Sequence, residues 1–355
     1  MASMETLKSY RMSYQELSRH GYLSLNHAKT KATFFWKSQE KKNWARTDNP
    51  KRKCARCKTN FKLNEHGEVP EGRCCYHDRK RFNEKTKRKE LICCDGKKKE
   101  GCQVANSHVI SQATKATLSE FLATLKPNGP DDYRSNQAYA LDTELVSTQN
   151  GLEVARVSLV DMNKTVVMDT HVLPKFPVID YNTKWSGIVE KDLEDAITLD
   201  ECHDQLFEFI NSKTILIGHS LECDLKALRL VHSSIVDTAV IFAKKNGPKS
   251  KHPITKVSLR TLSEQLLGRQ IQTGASGHCS IEDASTCIDL LATLKPRVTR
   301  PRVPEQRRIV PDVSNGSSGS IAHQQASAEQ SDLTRVFKYC IILLFLAIIV
   351  KIWSL

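Results

Sequence analysis

Apolar and polar or small residues alternate from Ala138 to Val146, the two-residue period of a β-strand. Shorter apolar runs over 154–160, 165–172, 214–218 and 234–237 predict further strands. Apolar residues at helical spacing predict helices over 193–210, 221–230, 258–267 and 281–294. Three early strands followed by alternating helix and strand predict an α/β architecture with a mixed sheet across residues 138–296. Upstream, "SQATKATLSEFLATLK" predicts a helix within 111–137, and the break "PNGPDD" marks a domain boundary. Residues 297–335 are rich in Pro, Arg, Ser, Gln and Gly, which predicts a disordered linker. The last segment, 336–355, carries an uncharged run from Tyr339 to Val350. Extended past Lys351, that run would make a helix of about 26 Å, near the lower limit for a membrane span. Arg335 and Lys338 before it favour a catalytic domain on the cytoplasmic side. The segment reads either as a tail anchor or as a hydrophobic helix that docks on a partner.

The first strand carries an anomaly. Asp142 and Glu144 lie two residues apart, so both project from one face. Like charges that close raise each other's pKa and need compensation. Water and basic neighbours at a strand end would supply it; so would divalent cations, and hard Mg²⁺ prefers oxygen ligands. Asp224 falls in the first helical turn after the strand 214–218, at the sheet edge where α/β proteins build sites. A helix dipole explains it equally well. Asp283 forms an S-x-x-D capping box with Ser280, and His278 precedes it by five residues on a Gly-flanked loop. Taken together, four carboxylates can hold two Mg²⁺ (or Mn²⁺) ions, and a neutral His beside them can serve as general base.

Charge is distributed unevenly. Residues 1–110 hold 26 Lys and Arg against 12 Asp and Glu, a surplus of 14, while the whole chain carries +13. A basic front on a near-neutral remainder suits a polyanion, most often nucleic acid. Residues 1–50 read as a basic arm, of short strands or loosely packed. Seven of the 12 Cys fall between Cys54 and Cys102. No apolar signal segment precedes them, so a reducing compartment and metal, not disulfides, are expected. Cys54-x₂-Cys57 and Cys74-x₂-His77 suit one tetrahedral Zn²⁺ within a 51–110 module. Cys93, Cys94, Cys102 and His108 form a further set that completes a second site or replaces members of the first. Lys and Arg around them would hold phosphates, and Tyr76 and Phe82 can stack on bases.

The order D-x-E, G-H-x₄-D, H-x₄-D resembles the DEDDh 3′→5′ exonucleases, and within them the eukaryotic RNA exonuclease one (Rex-type) group. The similar stretches are "YALDTELVST", "RVSLVD", "DYNTKWSGI", "IGHSLECDLKALRLVHSSIVDTAVIF" and "GHCSIEDA", with "CARC", "CCYH" and "GCQVANSHV" upstream. Together they cover about residues 1–296. The resemblance implies an RNase H-like sheet with the acids at its centre and Mg²⁺-dependent hydrolysis of single-stranded RNA 3′ ends, DNA being left open. It implies that Asp142, Glu144 and Asp283 bind the ion that activates water, that Asp142 and Asp224 serve the second, and that His278 is the base. A nuclear location goes with it, the alternative being a tail-anchored protein. Thr143 and Leu145 depart from the family's usual Cys and Met, which implies altered affinity. Asp237 is expected to be structural. The rival function is a nucleic-acid-binding platform that no longer cuts, and the intact acid set argues against it.

Overall fold

The computed structural model describes residues 2–26, 31–34, 50–78, 80–83, 88–94, 100–110, 120–245, 254–274 and 277–296. They belong to one compact unit, Met1–Arg300. The expected linker (297–335) and the hydrophobic segment (336–355) lie outside the described residues. Among the described residues no helix is long and apolar enough to cross a membrane.

The chain opens with two short helices, α1 (Met4–Tyr10) and α2 (Tyr14–Arg19). Ser3 caps the first, and a Ser13–Glu16 capping box starts the second. This stretch is not a loose arm. Leu7, Leu17 and Tyr22 are fully buried, and the Met12 N–H donates to the Ile235 carbonyl at 2.8 Å. The Cys-rich module is built from short antiparallel pairs, chief among them β1 (Glu71–Tyr76) against β2 (Gln103–Ser107). Of the helix expected within 111–137, residues 111–119 lie outside the described set. Leu122–Ala123 form a two-residue strand parallel to Leu230–Val231 instead.

The central sheet contains β3 (Ala138–Thr148), β4 (Gly151–Asp161), β5 (Val166–His171), β6 (Val178–Asp180), β7 (Ile215–Gly218) and β8 (Ile235–Asp237). Its order is β5-β4-β3-β7-β8, with β6 paired to the far end of β3. The pairs β5·β4 and β4·β3 are antiparallel, whereas β3·β7 and β7·β8 are parallel, giving the expected mixed sheet. Five helices follow in chain order after α3 (Thr183–Ser186): α4 (Leu199–Phe209), α5 (Glu222–Ala227), α6 (Thr238–Ile241), α7 (Leu259–Leu262) and α8 (Ser280–Ala292).

Strand alternation sorts β3 onto two cores. Tyr139 and Leu141 pack on the face shared with Leu17, Leu206 and Leu225 from α2, α4 and α5, and with Tyr22, which follows α2. Ala138 and Ala140 pack on the opposite face with Leu7, Leu259, Ala284 and Ile288, from α1, α7 and α8. That parity carries forward. Asp142 and Glu144 inherit the α8 face, and Thr143 inherits the α5 face.

Candidate active site and thiol clusters

β7 pairs with β3 only as far as Ala140 opposite Ile217. Asp142 therefore stands just past the carboxyl end of the parallel pair, where two connections leave a crevice. A bulge interrupts the β3·β4 register between Glu144 and Leu145, re-aiming the strand at that point. Glu144, Asp224 and Asp283 are 5, 7 and 4% exposed, and Asp142 is half-buried.

Three elements hold the four acids: β3 carries Asp142 and Glu144, and the other two come from helices. Asp224 sits in the short helix α5, where Thr143 donates to its Oδ1 twice, from the backbone N–H at 3.1 Å and from the hydroxyl at 2.6 Å. Asp283 lies in the first turn of α8, and Gln272 Nε2 donates to its Oδ2 at 2.7 Å. The expected Ser280–Asp283 capping box does not form. Cys279 is the cap residue, and the Ser280 hydroxyl turns to that of Ser158 on β4 at 2.6 Å. Since Ser158 is the cross-strand partner of Asp142, this bond fastens the start of α8 beside the β3 acids. Asp237 accepts from Tyr22 OH and from the N–H groups of Ser220 and Ala239, a fully buried structural anchor.

Burial raises the pKa of all four acids, and repulsion within the set adds to it at Asp142 and Glu144. Burial, then the charges of Asp224, Asp283 and Glu144, drive Asp142 well above the usual carboxylate range. Glu144 is pushed up to about 8 by burial and Asp283, against a lowering pull from Arg156. Asp224 rises to about 7 by burial, moderated by the Thr143 bonds. Asp283 rises to about 6, burial again outweighing Gln272. Two buried oxygens, Glu144 Oε1 and Asp283 Oδ1, have no hydrogen-bond partner among the described residues. Hard carboxylate oxygens, repelling one another and partly unpartnered, fit divalent cations of the Mg²⁺ class.

His278 is half-buried with Nδ1 3.9 Å from Asp283 Oδ2, and burial lowers its pKa, so the imidazole is neutral at pH 7. Its loop is clamped onto the α3 turn. The His278 N–H donates to the Trp185 carbonyl at 2.7 Å, and the two rings meet edge to face at 5.8 Å. Gly277 makes this contact possible. Its φ is +95°, and a Cβ there would stand 2.2 Å from the Gly187 nitrogen.

Thr143→Val removes the hydroxyl donor and keeps the side-chain volume. A hydrogen bond to a charged group is worth about 1.5–3 kcal/mol, and one pKa unit about 1.4 kcal/mol. Asp224 then ionises about one unit or more higher. A group whose pKa rises demands a higher pH to be charged, so the acid limb of a pH–rate profile moves upward, while Thr143→Ser restores it. An unmoved acid limb would remove Thr143 from the site.

The thiols gather into two groups, each with ligand atoms all within 4.8 Å of one another: Cys54, Cys57, Cys74 with His108, and His77 with Cys93, Cys94, Cys102. This corrects the expected pairing of Cys54, Cys57 and Cys74 with His77. Cys74-x₂-His77 reads as a turn, but β1 stays extended through Tyr76, so positions three apart face opposite ways. β2 then brings His108 round to Cys57. A tetrahedral Zn²⁺ site has S···S edges of roughly 3.8 Å and S···N edges of roughly 3.5 Å. Cys54 and Cys74 Sγ are 3.7 Å apart, and Cys57 Sγ lies 3.4 Å from His108 Nδ1. Cys93 and Cys94 Sγ each lie 3.5 Å from His77 Nδ1. Both groups fit the ion. Burial opposes ionisation of Cys54, but N–H donors from Val109, Cys57 and Arg56 and the His108 side chain bring its thiol down to about 6.

A mixed sheet with carboxylates on its central strand, just past the end of the parallel pairing and faced by a neutral loop histidine, fits a nuclease domain of the RNase H-like class. Residues 139–291 match the exonuclease family RNase_T, and the domain is similar to the DEDDh, Rex-type exonucleases. A Caenorhabditis elegans protein bearing the RNA-exonuclease name pqe-1 is 39% identical over 299 residues, 80% of this chain and 18% of that one. The human RNA exonuclease 1 homolog is 35% identical over 291 residues, 80% of this chain and 23% of that one. RNA exonuclease 3 of Schizosaccharomyces pombe is 38% identical over 251 residues, 68% of this chain and 43% of that one. The chain thus spans less than half the length of each of these relatives.

The sequence pattern pointed to Asp142, Glu144, Asp224, His278 and Asp283 separately, and the fold places all five in one crevice. It left out Gln272 and Trp185. Neither has a periodic signal, because both act from loops or a single helical turn folded back onto the site.

Proposed function

We propose that the chain is a 3′→5′ exoribonuclease whose carboxylates Asp142, Glu144, Asp224 and Asp283 hold Mg²⁺ or Mn²⁺. The observation that carries this is the electrostatic one: four buried acids held above their normal pKa beside a neutral His278. When bound, the ions lower the pKa of a water and stabilise charge on the phosphodiester. The protein's own part is to hold the acids. Thr143 orients Asp224, Gln272 orients Asp283, and the Ser158–Ser280 bond sets α8 against β3. The neutral imidazole of His278 takes the proton from the attacking water. Leu145, half-buried beside Glu144, offers an apolar surface to the terminal base. RNA as substrate is supported by the names of the relatives and by the basic Cys-rich module. In that module Cys54, Cys57, Cys74 and His108 would hold one Zn²⁺, and His77, Cys93, Cys94 and Cys102 a second.

The test is direct. RNA labelled at its 5′ end, incubated with the chain and Mg²⁺, should shorten to a one-nucleotide ladder, and EDTA should stop it. Label released at once as a mononucleotide would reverse the polarity. RNA bound but uncut would favour a binding platform.

A further inference from the structure

Between the thiol module and α3 runs a cleft of 630 Å³. We infer that this cleft carries the single-stranded RNA segment lying 5′ of the nucleotide being removed, a reading that rests on the exoribonuclease proposal above. Its walls come from both halves of the unit. Arg56, Lys58 and Tyr76 line it from the module, and Asn182, Lys184 and Trp185 from the exonuclease domain. The halves are pinned together at its floor. Arg56 donates to Asp180 at 2.7 Å and to Asn182 at 2.8 Å, and its guanidinium lies 5.1 Å over the Tyr76 ring.

Three features match a nucleic-acid strand. The first is position: Trp185 stands in the cleft and its ring meets that of His278, so the cleft opens onto the proposed site of cleavage. The second is chemistry. Trp185 is 41% exposed and Tyr76 half-buried, giving aromatic faces among cations, the combination that binds single strands by stacking plus phosphate contact. The third is that the cations can be recruited. Lys58 is exposed. Lys184 is 57% exposed, lies 5.3 Å over Trp185, and pairs with Asp78, whose carboxylate is nearly buried, so a phosphate would share the outward-facing ammonium with Asp78 and leave that pair in place. A phosphate entering the cleft gains both ammonium groups without breaking the Arg56 joint. Stacking and phosphate contact do not depend on base identity, so to the extent that they dominate, the cleft favours length over sequence.

The consequence is a length preference created by Lys58 and Lys184. The test compares a uridine 12-mer with the dinucleotide UpU, using the full chain with Mg²⁺, and the double variant Lys58→Gln/Lys184→Gln. For the wild type, kcat/KM should favour the 12-mer by at least ~10-fold, mostly through KM. In the variant that ratio should fall about tenfold. Each lost phosphate contact removes about 0.7 from the slope of log affinity against log salt, so the 12-mer's slope should flatten by about 1.4. Anisotropy of a fluorescein-labelled 12-mer, measured without added Mg²⁺ and without chelator, reads the cleft without turnover. Loss of binding in the variant supports the cleft even if neither RNA is cut, an outcome that would sink the exoribonuclease reading alone. An unchanged ratio with unchanged binding, or an equal loss on both substrates, overturns the cleft assignment.

Discussion

Asp142→Asn should lower RNA turnover by about 10³-fold or more while leaving the fold intact. The substitution keeps size and polarity but replaces a negative ligand by a neutral amide. If several kcal/mol of charge stabilisation in the transition state depend on that ligand, each ~1.4 kcal/mol lost costs tenfold in rate. Asp283→Asn should behave alike, because Asp283 Oδ1 is one of the two buried oxygens without a partner. Folding should not suffer. Asn at either position removes one charge from a set whose members repel, so thermal melting without added Mg²⁺ should rise or hold. Glu144 ionises at about 8 in the folded chain against 4.5 as a free side chain. Between those values the folded chain binds more protons than the unfolded one, so stability falls as pH rises through that window. Relieving the repulsion lowers that loss. A variant that keeps near wild-type kcat at saturating Mg²⁺ would end the metal-ligand assignment, and one that melts earlier than wild type would end the repulsion account.

The second large effect concerns zinc. Wild-type protein purified under reducing conditions should carry two Zn²⁺ per chain by elemental analysis. Cys74→Ser should lose one and His77→Ala the other, and the double variant should lose both. If His77 shared a site with Cys54, Cys57 and Cys74, the two substitutions would empty the same site and the double variant would still hold one ion. Structural zinc carries about 10–16 kcal/mol of binding free energy in small modules, most of it spent on folding. Strong chelation should therefore unfold the β1·β2 pairing and abolish the fixed Arg56–Asp180 contact, read as new amide exchange over residues 71–76 and 103–107. Protection that survives metal removal would show a module that folds on its apolar contacts alone.

Much of the exonuclease domain was legible because its signals are local. Five strands and four helices between 138 and 294 follow apolar period and length. The pairing of Asp142 with Glu144 on one face follows from strand geometry alone. What the pattern could not supply was partner choice. The spacing of Cys74 and His77 is the same in a turn and in a strand, and only the β1·β2 pairing decides which imidazole meets which thiols. Ser280 has the local signature of a cap, but a hydroxyl from β4 outbids its own helix. Residues 2–26 were read as an arm because Leu7, Leu17 and Tyr22 sit in elements too short to show a period. Their burial is decided by the sheet more than a hundred residues away.

That last feature bears on how the protein is made. The Tyr22 hydroxyl bonds Asp237, 215 positions later, and Tyr10 bonds the carbonyl of Lys295. At about 5–20 residues per second, the two N-terminal helices leave the ribosome roughly 10–40 s before their binding surface exists. Through that interval Leu7, Leu17 and Tyr22 have nowhere to go. The evolutionary unit, 139–291, and the folding unit are therefore different objects. A nascent chain stalled before Ile235 should be held by chaperones, and an isolated 139–291 fragment should melt earlier than the longer chain, with apolar surface uncovered on both sides of the sheet where Leu7 and where Leu17 and Tyr22 pack.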